Sequence, residues 1–470
     1  MPKVALLCAL ALLAGCAVIH SDTKPVAPEP GAWRADAPGS PPPEVFTQGF
    51  WQQFGDPVLD ELVQAAWLGN PDLRVAAARV QAYRAQVTVT GADRWPQADI
   101  AASAGRGKGG DYGSRTANLY SVGLELNWEI DLWGRLARTT DAARADLLAQ
   151  QESQRGIYLS LAASVAQAYL QLRALDAQLL ITQDTVRLRK QTLDLFQLRF
   201  EGGVISEVEL AQAQSEYEQA RAAVPDIERS IAQTENALSL LLGRPPGAIP
   251  RGKDMAALAA PEVPPGLPSE LLARRPDIRA AEASLKAADA RVDAARLEYF
   301  PRISLTGLFG FASTDASQLL ESPARVWSGA AGLVQPVFEA GRIGANVDIN
   351  RANREAAIAQ YQGAVLAAFR ETEDALVERR KRIEELAAKT RRVDAVTRYA
   401  ELSRLRYENG YTSYLEVIDA DRTLFSVQLD QLSTQGALLA AVVELYRALG
   451  GDWMDAPIET AAAKAESEQR

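Results

Sequence analysis

The residues able to do chemistry in this sequence are few. The chain has one histidine, His20, and two cysteines, Cys8 and Cys16. That stock cannot supply a Cys/His metal cluster, a disulfide framework, a Cys–His pair or a Ser–His–Asp triad. No phosphate loop is present either, because Gly105 to Gly110 lacks the following helix and Lys-Ser/Thr pair. Two groups remain. Cys16 ends the run Leu13-Ala14-Gly15-Cys16, the arrangement of a lipobox, in which the thiol receives a diacylglyceryl group before the chain is cut ahead of it. Glu416 and Asp419 lie three residues apart on a helical pattern and share one face. Carboxylates paired in this way can select or hold cations. The plainer reading is that acidic residues early in a helix suit its dipole and water. No carboxylate pair sits in a recognisable catalytic motif, so the expectation is a protein that is not an enzyme, with no cofactor and no metal.

The amino terminus reads as an address. Lys3 precedes the apolar run Val4 to Ala14, and small residues follow. This is a secretory signal over residues 1–15, too short for a membrane helix, which needs about 20 residues. Ala17 rather than Asp follows Cys16, which resembles lipoproteins sorted to the outer membrane. Residues 16–45 then form a Pro-rich tether, a composition that stays extended and builds no core. Residues 454–470 read as a frayed tail. The body between has globular composition, since 47% hydrophobic and 23% charged residues exclude wholesale disorder. A net charge of −10 argues against a nucleic-acid partner. The mass of the mature N-terminus checks the lipobox directly: a diacylated Cys16 is expected, and ordinary signal cleavage beside an unmodified Cys16 is the contrary result.

The body is one unit written twice. Pro71-Asp72-Leu73-Arg74-Val75-Ala76 recurs as Pro276-Asp277-Ile278-Arg279-Ala280-Ala281, an offset of 205. From Gly134-Arg135 and Gly341-Arg342 the offset is 207, and it persists to Leu198-Arg199-Phe200-Glu201 and Leu405-Arg406-Tyr407-Glu408. Repeat one is placed at 46–243, a Pro/Gly-rich linker at 244–268, and repeat two at 269–453. Each copy opens with an Ala-rich helix, Asp72 to Asp93 or Asp277 to Glu298, closed by an aromatic-Pro pair. Strand-like runs follow. Tyr120, Val122, Leu124, Leu126, Trp128 and Ile130 alternate with polar or small residues, the period of two of a half-buried strand. Ile303 to Phe311 repeats the signal, with weaker partners near Gln97–Gly105 and Val326–Val337. Aromatic residues near the strand ends, Trp95, Trp128, Trp133, Tyr299, Phe300 and Trp327, could form interface belts or pack in a core. Then come two proline-free runs, Arg138 to Glu201 and Ala345 to Glu408, rods of roughly 90 Å at the α-helical rise. Gly202-Gly203 and Asn409-Gly410 turn the chain back, since Gly and Asn tolerate left-handed backbone. Returning helices span Glu207–Leu242, which Pro225 should kink, and Tyr414–Leu449.

Four strands are too few to close a barrel, and an open sheet edge cannot face lipid. Single-chain barrels start at about eight strands, so either the strands form a soluble hairpin pair or several chains pool theirs.

The run Ala273-Arg274-Arg275-Pro276-Asp277-Ile278-Arg279-Ala280-Ala281-Glu282, continuing to Tyr299-Phe300-Pro301-Arg302-Ile303-Ser304-Leu305, resembles the TolC-like outer-membrane factor family. Trp51-Gln52-Gln53-Phe54-Gly55-Asp56-Pro57-Val58-Leu59-Asp60 resembles the opening of its lipoprotein branch, which serves resistance-nodulation-division efflux pumps. The resemblance covers nearly the whole mature chain. It implies a mixed α/β membrane protein: a homotrimer in the outer membrane, lipid-anchored, whose strands close a twelve-stranded barrel. Long helical hairpins would form a periplasmic α-barrel that meets an adaptor (membrane fusion) protein and an inner-membrane pump. The function implied is the passive exit duct of a tripartite efflux system. A type I secretion duct and a lipid-anchored coiled-coil scaffold without a pore are the rivals, and a carboxylate enzyme such as a glycosidase ranks below both. The resemblance also implies a periplasmic gate at the hairpin tips, with acidic positions at Glu416 and Asp419. Links between the hairpins of the two copies would involve Glu209 and Tyr407. A family arginine of that latch corresponds to Thr412 here, which leaves Arg422 as a candidate substitute.

Overall fold

The computed structural model describes Trp33 and residues 50–108, 116–261, 263 and 268–451. The expected signal, Cys16, the tether apart from Trp33, and the tail lie outside these residues. In chain order the elements are α1 (Pro57–Gly69), α2 (Pro71–Ala92), β1 (Gln97–Gly107), β2 (Ala117–Ile130), α3 (Arg135–Glu201) and α4 (Glu207–Leu241). After the junction come α5 (Pro268–Arg274), α6 (Pro276–Leu297), β3 (Arg302–Ser313), β4 (Arg325–Val334), α7 (Arg342–Glu408) and α8 (Tyr414–Ala448). The second half thus repeats the first half's helix, two strands and long helical hairpin. Two compact units result, each built from both halves of the sequence.

The first unit comprises, of the described residues, those within Ala77–Ser153 and Asp277–Ala364. Its sheet has the order β1-β2-β3-β4, antiparallel throughout, so the central pair β2–β3 joins the two halves of the sequence. The register sets Ile100 opposite Leu124, Leu124 opposite Phe309, and Phe309 opposite Trp327. An apolar row therefore crosses all four strands on one face, and Ile100 and Trp327 at its ends are 81% and 78% exposed. One residue along, the other face carries Asp99, Glu125, Leu308 and Ser328 in register. The Ser103 and Ser121 hydroxyls, a register pair on that polar face, hydrogen-bond at 2.8 Å. Gly310 is required by the close β2–β3 approach, because a Cβ there would lie 2.3 Å from the Val122 carbonyl oxygen.

The strand ends are fastened to helices. Asp131 caps α3, accepting from the Leu136 amide at 3.0 Å and the Ala137 amide at 2.7 Å. This is why α3 begins three residues before the sequence suggests. Trp133 donates to the Pro301 carbonyl at 2.8 Å and lies 5.2 Å from the Phe300 ring. Trp128 donates to the Arg94 carbonyl at 3.0 Å. Trp95, Tyr299 and Trp327 remain exposed, so the aromatic set divides between anchors and surface. Beneath, Leu285 and Ala288 of α6 pack on Ala357 of α7.

The second unit comprises, of the described residues, those within Pro28–Ala76, Gln154–Pro276 and Val365–Arg470. Its framework is two helical hairpins, α3 with α4 and α7 with α8. Both turns close the same way. Gly203 donates to the Phe200 carbonyl and Val204 to that of Arg199, while Gly410 donates to Tyr407 and Tyr411 to Arg406. This double bond pattern needs a left-handed residue at its centre, and Gly203 and Gly410 supply it with φ of 72° and 74°. Gly202 and Asn409 close the helix ends just before; the Asn409 side-chain amide also donates a hydrogen bond to the Leu405 carbonyl at 2.7 Å. α4 continues on both sides of Pro225.

The junction after Gly243 is pinned to this unit. Asp56, buried, accepts from the Tyr169 hydroxyl at 2.6 Å and the Lys253 amide at 3.0 Å. Arg173 donates to the Lys253 carbonyl at 2.9 Å and pairs with Asp176 at 2.6 Å. Arg251 pairs with Asp176 at 3.1 Å and also with Glu235. Burial, then the bond to Asp56, pushes the Tyr169 hydroxyl's pKa up, so this phenol stays a donor at any physiological pH.

Candidate functional site at the hairpin tips

The tips of the two hairpins meet through an apolar cluster. Phe196 (α3), Ala213 (α4) and Tyr414, Val417 and Ile418 (α8) are buried together, with Tyr407 packed against them. Phe196 and Tyr414 have ring centroids 4.2 Å apart, and Tyr407 lies 5.4 Å from Tyr414. Burial pushes the Tyr414 hydroxyl's pKa up to about 12, so the ring acts here as an apolar wedge. The small Ala213 and Ala420 let the helices approach at this level.

The expected gate residues are all at this end, but they bond differently from one another. Glu416 accepts from Arg406 at 3.0 Å and from the Thr412 hydroxyl, both in its own hairpin. Asp419 accepts from the Tyr399 hydroxyl at 3.2 Å, again within α7–α8. Glu209 closes a capping box with Ser206, accepting from its amide at 2.9 Å. Tyr407 alone of the four makes a hydrogen bond between copies, accepting from Arg199 of α3 at 3.4 Å.

The stronger link between the copies lies one to two turns further from the tip. Glu216 on α4 is 5% exposed. Arg189 of α3 lies 3.1 Å from one carboxylate oxygen and also donates to the Glu216 carbonyl at 2.8 Å. The other oxygen takes Arg422 from α8. Arg189 in turn stands 5.6 Å over the Phe425 ring of α8. Burial pulls the Arg189 pKa down while Glu216 opposes it, and the guanidinium remains charged because its ordinary value is so high. Arg422 thus bonds across the copies, to a carboxylate, Glu216, that pattern reading does not single out. Repeat matching could not find it, since the residues 207 positions after Arg189 and Glu216 are Val396 and Thr423. One signal was available: Ala213, Glu216, Ala220 and Ile227 form the buried stripe of α4, and a carboxylate on such a stripe needs a buried partner.

Among the described residues no group of three or more His, Cys, Asp or Glu could hold a metal ion. One unit thus carries a sheet with one apolar and one polar face, and the other carries paired helical hairpins fastened at their tips. The model of the outer membrane efflux protein family matches residues 62–244 and 267–451. The chain belongs to the outer membrane efflux protein family. This efflux protein is 37% identical over 465 residues to the solvent efflux pump outer membrane protein SrpC of Pseudomonas putida, covering 95% of this chain and 97% of SrpC. It is 33% identical over 455 residues to the cation efflux system protein CusC of Escherichia coli, covering 95% and 98%. Among solved structures it superposes on the open state of the Neisseria gonorrhoeae MtrE outer membrane channel with a TM-score of 0.83 at 30% identity, covering 93% and 98%. On the outer-membrane channel OprN the TM-score is 0.85 at 32% identity, covering 93% and 100%. The outer-membrane location and the efflux-channel role expected from the sequence hold at the level of the family.

The buried link yields an asymmetric prediction. Glu216→Ala in this efflux protein leaves Arg189 without its carboxylate and should cost about 3 kcal/mol, read as a lower thermal unfolding midpoint. Arg422→Ala removes a half-exposed partner and should cost under about 1 kcal/mol. Equal losses would contradict the assignment of Glu216 as the buried centre.

Proposed function

We propose that three copies of this chain pool their four-stranded sheets into one twelve-stranded barrel and form the passive exit duct of a tripartite efflux system. The observation that carries this reading is the sheet itself. One face is apolar and exposed, the other is polar, and in the single chain β1 and β4 are unpaired edges. In hydrocarbon such edges would leave backbone groups without partners, each costing several kcal/mol. Closure with neighbouring copies removes both edges at once and turns the apolar row of Ile100, Leu124, Phe309 and Trp327 toward lipid. The helical hairpins then serve as the periplasmic part that meets an adaptor protein and an inner-membrane RND-type pump. Lipid on Cys16 would add an anchor. The relatives' named cargoes, a solvent in one and a cation in another, fit a generic conduit whose selection rests with its pump.

The hairpin tips are the gate in this reading. Glu416 and Asp419 would repeat by threefold symmetry as rings of carboxylates. Each is held now by its own hairpin, through Arg406 and Thr412 or through Tyr399. Opening requires Arg422 to leave Glu216 and Arg199 to leave Tyr407, since both hydrogen bonds span the two hairpins at this level. Tyr407, Glu209 and the Gly203 and Gly410 turns keep the tips in register.

Planar-bilayer recording tests the reading. The purified protein should give discrete channels of low conductance, and Glu416→Ala with Asp419→Ala should raise the conductance severalfold and weaken cation preference. A protein that inserts without channels would sink the duct, and an unchanged current in the double variant would remove the gate role from these two residues.

A further inference from the structure

Within the second unit, a cavity of about 330 Å³ lies between the hairpins, just behind the apolar tip cluster. We propose that this cavity is a binding site for a compact organic cation with an apolar or aromatic body. The inference stands on the cavity alone, so the duct reading can fail without it and it can fail without the duct reading.

Size is the first argument, since sites for small molecules begin at about 300 Å³. The charge of the wall is the second. Asp184, Glu216, Glu401 and Asp421 line the cavity against Arg189 and Arg404, which leaves an excess of negative charge. The two arginines are not equivalent. Arg189 is buried and committed to Glu216. Arg404 is half exposed and reaches Asp421 at 3.2 Å from the open side. Asp184 and Glu401 pair with Arg187 at 2.9 Å and Arg398 at 3.1 Å, in exposed pairs at the rim that water screens. The interior carboxylate that a ligand can win is therefore that of Asp421.

Asp421 is prepared for a cation. Burial raises its pKa, opposed by Arg404 and Arg189 and reinforced by Glu216. A carboxylate strained in this way gains from any positive charge brought closer and drier than Arg404. A ligand ammonium at Asp421 would send the Arg404 side chain back to water, with little loss. The apolar body then has matching walls: Leu188 from α3, Ile418 and Leu424 from α8, and the aromatic residues Tyr414 and Phe425. Phe425 already carries Arg189 over its ring, which shows that this face accepts positive charge. An organic anion would meet more carboxylates than guanidiniums here, and both arginines are already paired. Because the walls come from both hairpins, an occupant would bridge α3 and α4 to α7 and α8 and hold the tips in their present arrangement.

Isothermal titration of the full chain in detergent tests this with benzyltrimethylammonium as the probe and benzenesulfonate as its anionic counterpart. One saturable site per chain is expected for the cation, with a raised thermal unfolding midpoint, and none for the anion. Asp421→Asn should weaken the cation by about tenfold or more. Leu188→Trp narrows the cavity from an exposed position, and should block binding while leaving the unfolding midpoint of the free protein unchanged. Loss in both variants supports the site even if Asp421→Asn proves unstable. No binding to the unaltered chain, equal binding of benzenesulfonate, or undiminished binding to either variant would overturn the proposal.

Discussion

A β-sheet edge is a row of unpaired amides and carbonyls, and hydrocarbon offers them nothing. That constraint governs much of this chain. The sheet of β1 to β4 presents an unbroken apolar row on one face, from Ile100 to Trp327, yet it stops at four strands. Four strands make neither a closed barrel nor a stable island in lipid. In the proposed duct each chain would depend on its neighbours for a membrane domain at all. The antiparallel pairing of β2 with β3 already shows the solution in miniature: a strand from one repeat completes the edge of the other, with Gly310 letting the two backbones approach. Closure between chains, as proposed, would extend the same pairing rule.

The hairpins solve a different problem. Two copies of one helical unit would fit together by shape alone, and shape is easily slid. The tip cluster around Tyr414 supplies burial, whereas the contact of Arg189, Glu216 and Arg422 supplies register, because a buried carboxylate accepts few alternative partners. The contact is also where duplication has been broken. The equivalents of Arg189 and Glu216 in the second copy are Val396 and Thr423, so the buried pair belongs to the first hairpin, and Arg422 of the second hairpin reaches across to its carboxylate. The fastening is half exposed on its Arg422 side, which would suit the proposed gate, an element that both holds and parts.

Much of the fold was legible in the sequence for identifiable reasons. The alternation of Tyr120 to Ile130 marks β2, and freedom from proline marks α3 and α7. Gly203 and Gly410 mark turns that only a left-handed residue can close. Other features were not legible. The weak strands β1 and β4 are rich in Ala, Gly and Ser, and register with β2 and β3 sets their ends: β1 runs on to Gly107, whereas β4 stops at Val334, short of the expected Val337. The early start of α3 depends on Asp131 reaching forward to Leu136 and Ala137. At the tips, Glu416, Asp419, Glu209 and Tyr407 could be picked from pattern and resemblance, but their partners could not. Each bond depends on which way a side chain turns from its helix. Glu209 turns to its own cap, and Tyr407 turns to Arg199. Glu216 was hidden because a carboxylate on an amphipathic helix reads as surface until its stripe is known to be buried.

The pooling of strands between chains is the claim on which the duct rests. Cysteine cross-linking tests it most directly, since no cysteine follows Cys16 to interfere. A panel of chains would carry one cysteine in β1 and one in β4, oxidised in outer membranes and separated under denaturing conditions. The account predicts that register-matched pairs give covalent dimers and trimers and nothing larger. Cross-links confined within one chain, or none at any register, would contradict it.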